Sequence, residues 1–207
     1  TLVDRVDPGD SQQTSYGNAG MIARAAIVPV STPGLLKKIP KMLIDPNSPL
    51  FLKWGYWPKL LPWLIPFLRA GSPSKLKSIV SGLDSLTSDS VEQHLKLANG
   101  TTAEKFIKKG RFGVLYTNEK TFSDDKLGQQ FKADYGYKFQ KLNRAEILSL
   151  DPHISNRYNS AAVFNDHAWI TDPGQYLRTI FEYYCSKGGK FLKSEVKEID
   201  NKTITLK

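Results

Sequence analysis

Residues 14–20, with the sequence TSYGNAG, are the part of the chain whose side chains are best suited to hold a polar ligand. Thr14, Ser15 and Asn18 carry hydroxyl and amide groups that donate hydrogen bonds. The two glycines lack a Cβ and tolerate a positive φ, so another molecule can approach the backbone closely. Such a segment suits a phosphate or a flat polar ring. An ordinary loop is the alternative, because Ser, Asn and Gly are also common turn residues.

A carboxylate, Asp4, precedes this segment at a position with a known use in nucleotide-binding folds. Residues 1–3 are predicted to be the end of a strand, which closes at Asp4 and Arg5. An acidic residue at the end of a strand in a dinucleotide-binding βαβ unit accepts hydrogen bonds from ribose hydroxyls. The glycine fingerprint of such a unit lies about 20 residues upstream, where this sequence has no residues. Asp4 is therefore also consistent with an ordinary carboxylate at a strand end.

The composition is that of a folded chain with a basic surface. Of the 207 residues, 40% are apolar, which is enough for a core, and 24% are charged. The formal net charge of +9 favours anionic partners, such as a phosphate-bearing cofactor, an anionic membrane surface or nucleic acid. The lysines are scattered along the chain rather than grouped, which indicates a solvated surface.

Other kinds of site are disfavoured by the sequence. Cys185 is the one cysteine, so no disulfide forms within the chain, which fits a reducing compartment such as the cytoplasm. Its aromatic helix predicts a small core residue rather than a nucleophile. His94, His153 and His167 are isolated, and no CxxC or HExxH occurs, so a metal site lacks support. The aromatic residues are not arrayed as in an RNA-binding sheet, so we expect no nucleic-acid partner.

The hydrophobic periodicity predicts a mixed α/β (α+β) chain whose helices and strands would position these residues. Helices are predicted at 35–43, 74–99 with a restart near 88, 101–109, 123–135, 144–150 and 175–186. Strands are predicted at 1–3, 112–117, 137–142, 160–164, 191–199 and 203–206, and residues 21–30 are a strand or an extended segment.

Residues 50–69 have the most unusual composition in the chain. Six aromatic residues lie among leucines, and prolines recur at 58, 62 and 66. The prolines and two lysines argue against a membrane-spanning helix, which needs about 20 apolar residues. Two alternatives remain: short helices packed on a domain, or an interfacial surface in which Trp and Tyr lie at the depth of lipid headgroups.

Several short stretches together carry a family likeness. They are DR at 4–5, TSYGNAG at 14–20, PGLLKK at 33–38, the Trp/Pro-rich segment through FLRAG at 67–71, DPGQY at 172–176, and GGKF at 188–191 with Val196. In this combination the sequence resembles the D-amino acid dehydrogenases, which are FAD-dependent amine and amino-acid oxidoreductases. The likeness spans most of the chain, although each stretch alone is not specific.

The resemblance implies a set of residues that bind FAD. They are Asp4, Arg5, Thr14, Ser15, Asn18, Ala19, Gly20 and Val196. By position, Asp4 would bind the adenosine ribose, Arg5 would lie beside the adenine, and the backbone of Val196 would meet the adenine.

The remaining residues of this set would contact the other half of the cofactor. Thr14 and Ser15 would donate hydrogen bonds to the pyrophosphate. Asn18, Ala19 and Gly20 would pass near the isoalloxazine ring, whose edge accepts and donates amide hydrogen bonds.

The resemblance also implies the architecture. Residues 1–34 would be part of a Rossmann-like FAD-binding domain, 35–172 a mixed-sheet substrate-binding domain with helices, and 173–207 a helix and β-hairpin that return to the FAD-binding domain. The family's opening strand, its GxGxxG loop and its C-terminal part are absent from this sequence. We therefore expect an internal fragment that works with the remainder of its own polypeptide and binds FAD poorly by itself.

The reaction that the resemblance implies is oxidative deamination of a D-amino acid. The Cα hydrogen leaves as hydride to the flavin N5, and the imine hydrolyses to a 2-oxo acid and ammonia. Because the flavin accepts the hydride, we name no acid–base residue. Arg or Tyr side chains commonly hold a substrate carboxylate, and His167 and Tyr158 are candidates without a supporting pattern.

Two alternatives to a D-amino acid dehydrogenase stay open. One is an oxidase of the same family that acts on glycine or sarcosine and uses oxygen. The other is a non-catalytic basic module that binds a membrane or nucleic acid through its charge of +9. For the dehydrogenase we expect a cytoplasmic location, with residues 50–69 as a hypothetical peripheral contact with the inner face of a bacterial plasma membrane.

Overall fold

A computed structural model describes residues 1–35, 39, 42–43 and 53–207, without the side chains of Trp54 and Trp57. The helix predicted at 35–43 therefore falls mostly outside the described residues, as does the start of the Trp/Pro-rich segment at 50–52. Within the described part of the chain, every helix is too short or too polar to cross a membrane.

The described chain contains both strands and helices, which confirms the predicted mixed fold class. The strands are β1 (Leu2–Asp4), β2 (Met21–Ile22), β3 (Ile107–Tyr116), β4 (Phe139–Asn143), β5 (Ser160–Ile170), β6 (Phe191–Lys193), β7 (Val196–Ile199) and β8 (Ile204–Leu206). The α-helices are α1 (Trp57–Ala70), α2 (Pro73–Thr87), α3 (Ser90–Ala98), α4 (Glu119–Asp124), α5 (Lys126–Asp134), α6 (Arg144–Leu150) and α7 (Pro173–Ser186). Short 3-10 helices cover Trp54–Tyr56 and Thr102–Phe106.

The largest sheet is built around β5, which is antiparallel to each of its neighbours. β3 follows one edge of β5 over its whole length, while β4 and β2 share the other edge. Most β5 residues are buried, because helices or strands cover both sides of it. This position makes β5 the element that fixes the rest of the sheet.

Two clusters of apolar side chains attach helices to this sheet. Ile22, Ala168 and Ile170 pack with Val91 of α3 and Tyr176 of α7. A separate cluster anchors α2 to the segment that follows β2, where Ile27 contacts Leu76 and Val80. Burial of such side chains is the main stabilising contribution to a fold of this size.

The two ends of the chain meet in a small parallel sheet. β1 pairs with β6 in the register Leu2 to Phe191 and Asp4 to Lys193. The N–H of Ser194 then donates to the carbonyl of Asp4 at 2.9 Å, so the chain after β6 stays beside the end of β1. β7 and β8 form the antiparallel hairpin that was predicted at the end of the chain.

Several local predictions need correction. The strand predicted at 191–199 is two strands, β6 and β7, which belong to different sheets. The helix predicted at 101–109 is a single 3-10 turn, capped by Thr101, after which the chain enters β3 at Ile107. The helix predicted at 123–135 is two helices, because Asn118 forms a capping box that starts α4 early and Asp125 separates α4 from α5. Cys185 is exposed rather than part of the core.

Candidate functional site

A cavity of about 640 Å³ lies beside the end of β1. Four of the predicted cofactor residues line it together: Asp4, Arg5, Thr14 and Ser15. They come from two segments separated by a connector, so their meeting is a result of the fold and not of sequence proximity alone.

Three successive turns bring Thr14 and Ser15 back to Asp4. The N–H groups of residues 13, 16 and 18 donate to the carbonyls of residues 10, 13 and 15 at 3.0, 3.0 and 3.3 Å. The connector is held against α7 at Gly9, whose φ is +83°. A Cβ at Gly9 would clash with the carbonyl oxygen of Gly174, so only glycine allows this contact.

Gln13 links the connector directly to the carboxylate of Asp4. Its Nε2 donates to Asp4 Oδ2 at 2.9 Å, and its Oε1 accepts from the N–H of Gly9 at 2.6 Å. The N–H of Val6 donates to Asp4 Oδ1 at 3.3 Å. A carboxylate has about four lone-pair positions, so Asp4 keeps acceptor capacity for hydroxyl groups of a ligand.

Asp4 is held in its ionised form. Burial raises the pKa of Asp4, but the hydrogen bonds from Gln13, Val6 and the N–H of Arg5, with the charge of Arg5, outweigh it, so the pKa lies below its ordinary value. An ionised carboxylate is an acceptor only. This protonation state matches the recognition of ribose hydroxyls, which donate.

Thr14 and Ser15 are exposed to the cavity. Within the described chain, their hydroxyl groups and backbone N–H groups have no hydrogen-bond partner. The side chains of Arg5 and Lys193 add positive charge to the same cavity, although Lys193 also pairs with Asp7 at 2.6 Å. The carboxylates of Asp4 and Asp10 lie in the same wall, so an anionic group such as a pyrophosphate would be held by the free donors and Arg5 rather than by a net positive charge of the cavity.

The next predicted residues lead away from this cavity toward the large sheet. Asn18 and Ala19 are exposed, and Asn18 Oδ1 accepts from the N–H of Gly20 at 2.8 Å. Gly20 is buried, and its carbonyl accepts from the N–H of Ile170 at 2.7 Å. Residues 18–20 therefore run from the cavity to the edge of β5. A segment that follows an extended cofactor would take this course.

Val196 does not line the cavity. It lies in β7, opposite Leu206, and is 38% exposed. It follows two residues after Ser194, whose N–H is bonded to the carbonyl of Asp4. The fold thus brings Val196 near the end of β1 but not into contact with the space between Asp4 and Ser15.

Sequence reasoning missed six residues of the cavity wall. They are Val6, Asp10, Gln12, Gln13, Leu177 and Lys193, the last of which closes the wall from β6. The turn chemistry around Pro8 and Gly9 was a signal that the connector folds back. Nothing in the sequence marks Leu177 or Lys193, because both arrive from the far end of the chain.

A second, apolar cavity of about 710 Å³ adjoins the first one. The two share Asp4, Gln13 and Leu177 in their walls. The second is lined mainly by Leu2, Leu97 and apolar or aromatic side chains of α7. A polar space and an apolar space that meet at one carboxylate fit a nucleotide, which has a charged half and a flat apolar half. The residues present therefore fit part of a dinucleotide site.

The two candidates for a substrate carboxylate fit less well. His167 is 2% exposed, and its ring nitrogens are occupied by the carbonyl of Asn165 at 2.7 Å and the N–H of Ala25 at 3.2 Å. The hydroxyl of Tyr158 accepts a short hydrogen bond from its neighbour Arg157. His167 is thus a structural residue of β5.

A family model described as FAD dependent oxidoreductase matches residues 1–206. The chain belongs to this family. Membership confirms the predicted family, and it agrees with the predicted cofactor class, which the family's description names.

Curated relatives of this FAD-dependent oxidoreductase are enzymes of amino-acid oxidation. The chain is 31% identical over 196 residues to a D-amino-acid oxidase of Bradyrhizobium diazoefficiens, covering 94% of this chain and 46% of that protein. It is 25% identical over 190 residues to D-amino acid dehydrogenase 2 of Ralstonia nicotianae, covering 90% and 44%. The chain therefore spans about half the length of the curated relatives it matches.

Solved structures share the fold at low sequence identity. An L-alpha-glycerophosphate oxidase of Mycoplasma pneumoniae, with FAD bound, superposes with a TM-score of 0.52 at 15% identity, covering 95% of this chain and 38% of the other. A glycine oxidase of Bacillus cereus gives a TM-score of 0.51 at 12% identity, covering 94% and 40%. Both support the arrangement of strands and helices in this oxidoreductase.

Proposed function

We propose that this chain forms one wall of the FAD site in an enzyme that oxidises D-amino acids to 2-oxo acids and ammonia. The single observation that carries the proposal is that Asp4, Arg5, Thr14 and Ser15 line one cavity at the end of β1. The substrate class rests on the relative at 31% identity, which is named a D-amino-acid oxidase and matches 94% of this chain.

In this proposal each residue of the cavity has a distinct task. The ionised carboxylate of Asp4 accepts hydrogen bonds from ribose hydroxyls, while Gln13 keeps that carboxylate in place. Thr14 and Ser15 donate to the pyrophosphate, and Arg5 compensates its charge. Residues 18–20 position the flavin ring near the large sheet.

The chemistry that bound FAD supplies is acceptance of the Cα hydrogen of the substrate as hydride at N5. The task of this chain is then to orient the cofactor and exclude water around it. We assign it no proton transfer, because His167, a buried histidine of β5, uses both ring nitrogens for structural hydrogen bonds.

Flavin retention by a complete enzyme containing this chain tests the cavity. We expect Asp4→Asn to lower the FAD affinity about tenfold, since a charge-assisted hydrogen bond to ribose is weakened. Thr14→Val combined with Ser15→Ala should act in the same direction. Asp124→Asn, which changes an exposed carboxylate outside the cavity, is the matched control. Equal flavin content in all variants would reject the assignment of this cavity.

The substrate class is tested separately with the same enzyme. We expect D-amino acids, but not their L-enantiomers, to reduce the bound flavin under anaerobic conditions. Peroxide formation on admitting air would identify an oxidase, and transfer only to an added quinone or dye would identify a dehydrogenase. Reduction by glycine or sarcosine in preference to D-amino acids would replace the proposed substrate.

We further propose that helix α1 contacts a membrane surface. Trp63 is 59% exposed and Ile65 is 45% exposed, and the ring of Trp63 stacks on Phe67 with centroids 4.7 Å apart. Exposed Lys59 and Arg69 lie on the same helix and would meet anionic headgroups. Exposed aromatic and aliphatic side chains flanked by cations are typical of an interfacial helix.

Liposome flotation tests this contact. We expect the enzyme to float with vesicles that contain anionic lipid, and a variant with Trp54, Trp57 and Trp63 replaced by alanine to stay in the soluble fraction. Replacing Leu86 and Leu127, exposed apolar residues outside α1, by alanine provides a control for general loss of apolar surface. Flotation that is unchanged in the triple variant would remove the proposal.

The domain division also remains a proposal. Residues 1–34 and 173–207 would belong to the FAD-binding domain and 35–172 to the substrate-binding domain. Pairing of β1 with β6 supports it, since the first and last parts of the chain fold together. β2 crosses the proposed boundary by pairing with β5, which would make it the connection between the two domains.

A further inference from the structure

Two polar cavities, of about 540 and 360 Å³, lie side by side where β5 is irregular. They share four wall residues: Arg24, Asn165, Asp166 and His167. Neither cavity shares a wall residue with the one beside β1. We call the larger of the two the bulge cavity. The proposed FAD site does not use it.

The irregularity is a β-bulge in which two residues of β5 oppose one residue of β3. Gly110 pairs with His167 and Phe112 with Phe164, so Arg111 alone faces Asn165 and Asp166. Asp166 has a φ of +61°, and within the described residues it is the one non-glycine residue with a positive φ. Bulges and such strained residues occur often beside binding sites, because they redirect side chains.

His167, which is buried, holds this bulge in place. Its Nε2 accepts from the N–H of Ala25, so its Nδ1 carries the proton and donates to the carbonyl of Asn165. Its ring also stacks on Phe112 with centroids 5.5 Å apart. A buried histidine with both nitrogens satisfied fixes the backbone of Asn165, and the side chains of Asn165 and Asp166 are left exposed at the cavity.

Charged groups of both signs line the bulge cavity. They are Arg24, Lys109 and Arg111 on the positive side, and Glu92 and Asp166 on the negative side. Arg24 pairs with Glu92 at 3.4 Å and donates through Nε to the carbonyl of Ser88. Arg24 and Glu92 therefore neutralise one another in the wall.

The remaining three charges are not paired within the described chain. No ion pair there includes Lys109, Arg111 or Asp166, although Arg111 and Asp166 oppose one another across adjacent strands. Unpaired charges of both signs thus border one open space.

This mixture of charges selects the chemistry of a ligand. A simple anion would be attracted by Lys109 and Arg111 but would meet the carboxylate of Asp166, and a simple cation would meet the opposite conflict. A small zwitterion satisfies both groups at once, and a free α-amino acid carries its two charges on neighbouring atoms. A space of about 540 Å³ is within the usual range for small-molecule sites.

We propose that the bulge cavity binds a free α-amino acid at a site separate from the FAD cavity, with its carboxylate on Arg111 and Lys109 and its ammonium group on Asp166. Such a site would make the enzyme responsive to amino-acid concentration. Its ligand needs no side chain for recognition, so glycine is the smallest adequate probe.

The site is tested by titrating the flavin-free, full 207-residue chain. NMR signals of the backbone amides of residues 109–111 and 165–167 report the binding. We expect saturable shifts with glycine, and about tenfold weaker binding of acetate and of methylamine, each of which lacks one charged contact. Arg111→Gln and Asp166→Asn should each weaken glycine binding about tenfold. Asn tolerates a positive φ, so Asp166→Asn keeps the bulge and removes only the charge.

Arg157→Gln, which changes an exposed arginine outside the bulge cavity, is the matched control and should bind glycine like the unmodified chain. If Arg111→Gln disturbs the fold, Lys109→Gln and Asp166→Asn decide the outcome. Acetate binding as tight as glycine binding, or glycine binding unaffected by Asp166→Asn, would overturn the proposal. So would the absence of saturable shifts in a folded chain. Because the readout needs no flavin, failure here leaves the proposed oxidase activity untouched.

Discussion

Gly20 joins the predicted ligand-binding segment to the central sheet through a very close backbone contact. Its φ is +69°, and its carbonyl accepts from the N–H of Ile170. Gly17 has a similar φ of +68° but is surrounded by open space. The same residue type thus serves two purposes: Gly17 permits a turn, whereas Gly20 permits a turn and a close approach.

Alanine substitutions separate these purposes. We expect Gly17→Ala to lower the free energy of unfolding by about 1 kcal/mol, the usual cost of the left-handed conformation. Gly20→Ala should cost about 3 kcal/mol, because its Cβ would also clash with the carbonyl oxygen of Ile170. Urea unfolding of both variants measures the difference. Equal costs would mean that the contact between Gly20 and β5 does not exist.

His167 makes stability depend on pH. Burial lowers the pKa of His167 below its ordinary value of 6.5, so below about pH 6.5 the unfolded chain binds a proton that the folded chain does not. The free energy of unfolding should therefore fall as the pH drops below about 6.5, by up to about 1.4 kcal/mol per pH unit and proton. The loss ends once the pH falls below the pKa of the folded state.

Burial also lowers the pKa of His94, so both histidines act in the same direction. We expect His167→Gln to be less stable near neutral pH, since the bond to Ala25 is altered, but to show a smaller decline in acid. Chemical denaturation at several pH values between about 5 and 8 gives the slope. A slope in His167→Gln as steep as in the unmodified chain would exclude this origin of the pH dependence.

At the scale of elements, helix α7 holds the two parts of the candidate site together. Its first turn carries the contact with Gly9, and Leu177 on the same helix lines both cavities beside β1. Asp172 caps this helix, with Oδ1 accepting from the N–H of Gln175 at 2.9 Å, and Pro173 follows at its first position. The start of α7 is therefore fixed by local hydrogen bonds.

Removing that cap should weaken the helix and loosen the site. We expect Asp172→Ala to cost about 1 kcal/mol of stability, while Asp172→Asn should retain nearly all of it, because Asn is an equally good cap. Thermal unfolding measures both. A loss in Asp172→Asn as large as in Asp172→Ala would indicate that the charge, and not the capping hydrogen bond, stabilises α7.

Elements with local signals were predictable from the sequence. Asn143 and Asp172 cap α6 and α7, and both helices lie within two residues of the predicted 144–150 and 175–186. β5 was predicted to end at Phe164, whereas the strand continues through the bulge to Ile170. The bulge depends on a hydrogen bond between His167 and Ala25, which are 142 residues apart, and no local pattern carries that information.

The candidate site likewise contains residues that a local signal made predictable and residues that lack such a signal. Residues 14–15 and Asp4 were predicted because their types and the family likeness marked them, and they do line one cavity. Gln13, Leu177 and Lys193 were missed because their contribution depends on how the connector and the chain ends fold back. Val196 was predicted from its position in the likeness and lies outside that cavity.

At the scale of the whole molecule, the two cavities beside β1 are open to solvent. The cavities beside β1 are formed by two chain ends and one helix, and the apolar one exposes Leu2, Leu97 and Tyr183 by 44%, 51% and 38%. The chain also covers less than half of the length of its curated relatives. A dinucleotide held on one side keeps much of its apolar surface in water, so it gains only part of the binding free energy of an enclosed site.

We therefore expect the 207-residue chain by itself to bind FAD weakly, with an affinity lower by several orders of magnitude than that of a flavoprotein that retains its cofactor during purification. Titration of the chain into FAD, followed by flavin fluorescence and by calorimetry, measures this affinity. The net charge of +9 should contribute a part of the binding that disappears at high salt. Asp4→Asn identifies the specific part of the FAD binding. This substitution should lower the binding that persists at high salt, but leave the salt-sensitive binding unchanged or stronger. Tight, stoichiometric, salt-resistant binding would contradict the one-sided site, because it would require the cavity beside β1 to enclose the cofactor without any further protein.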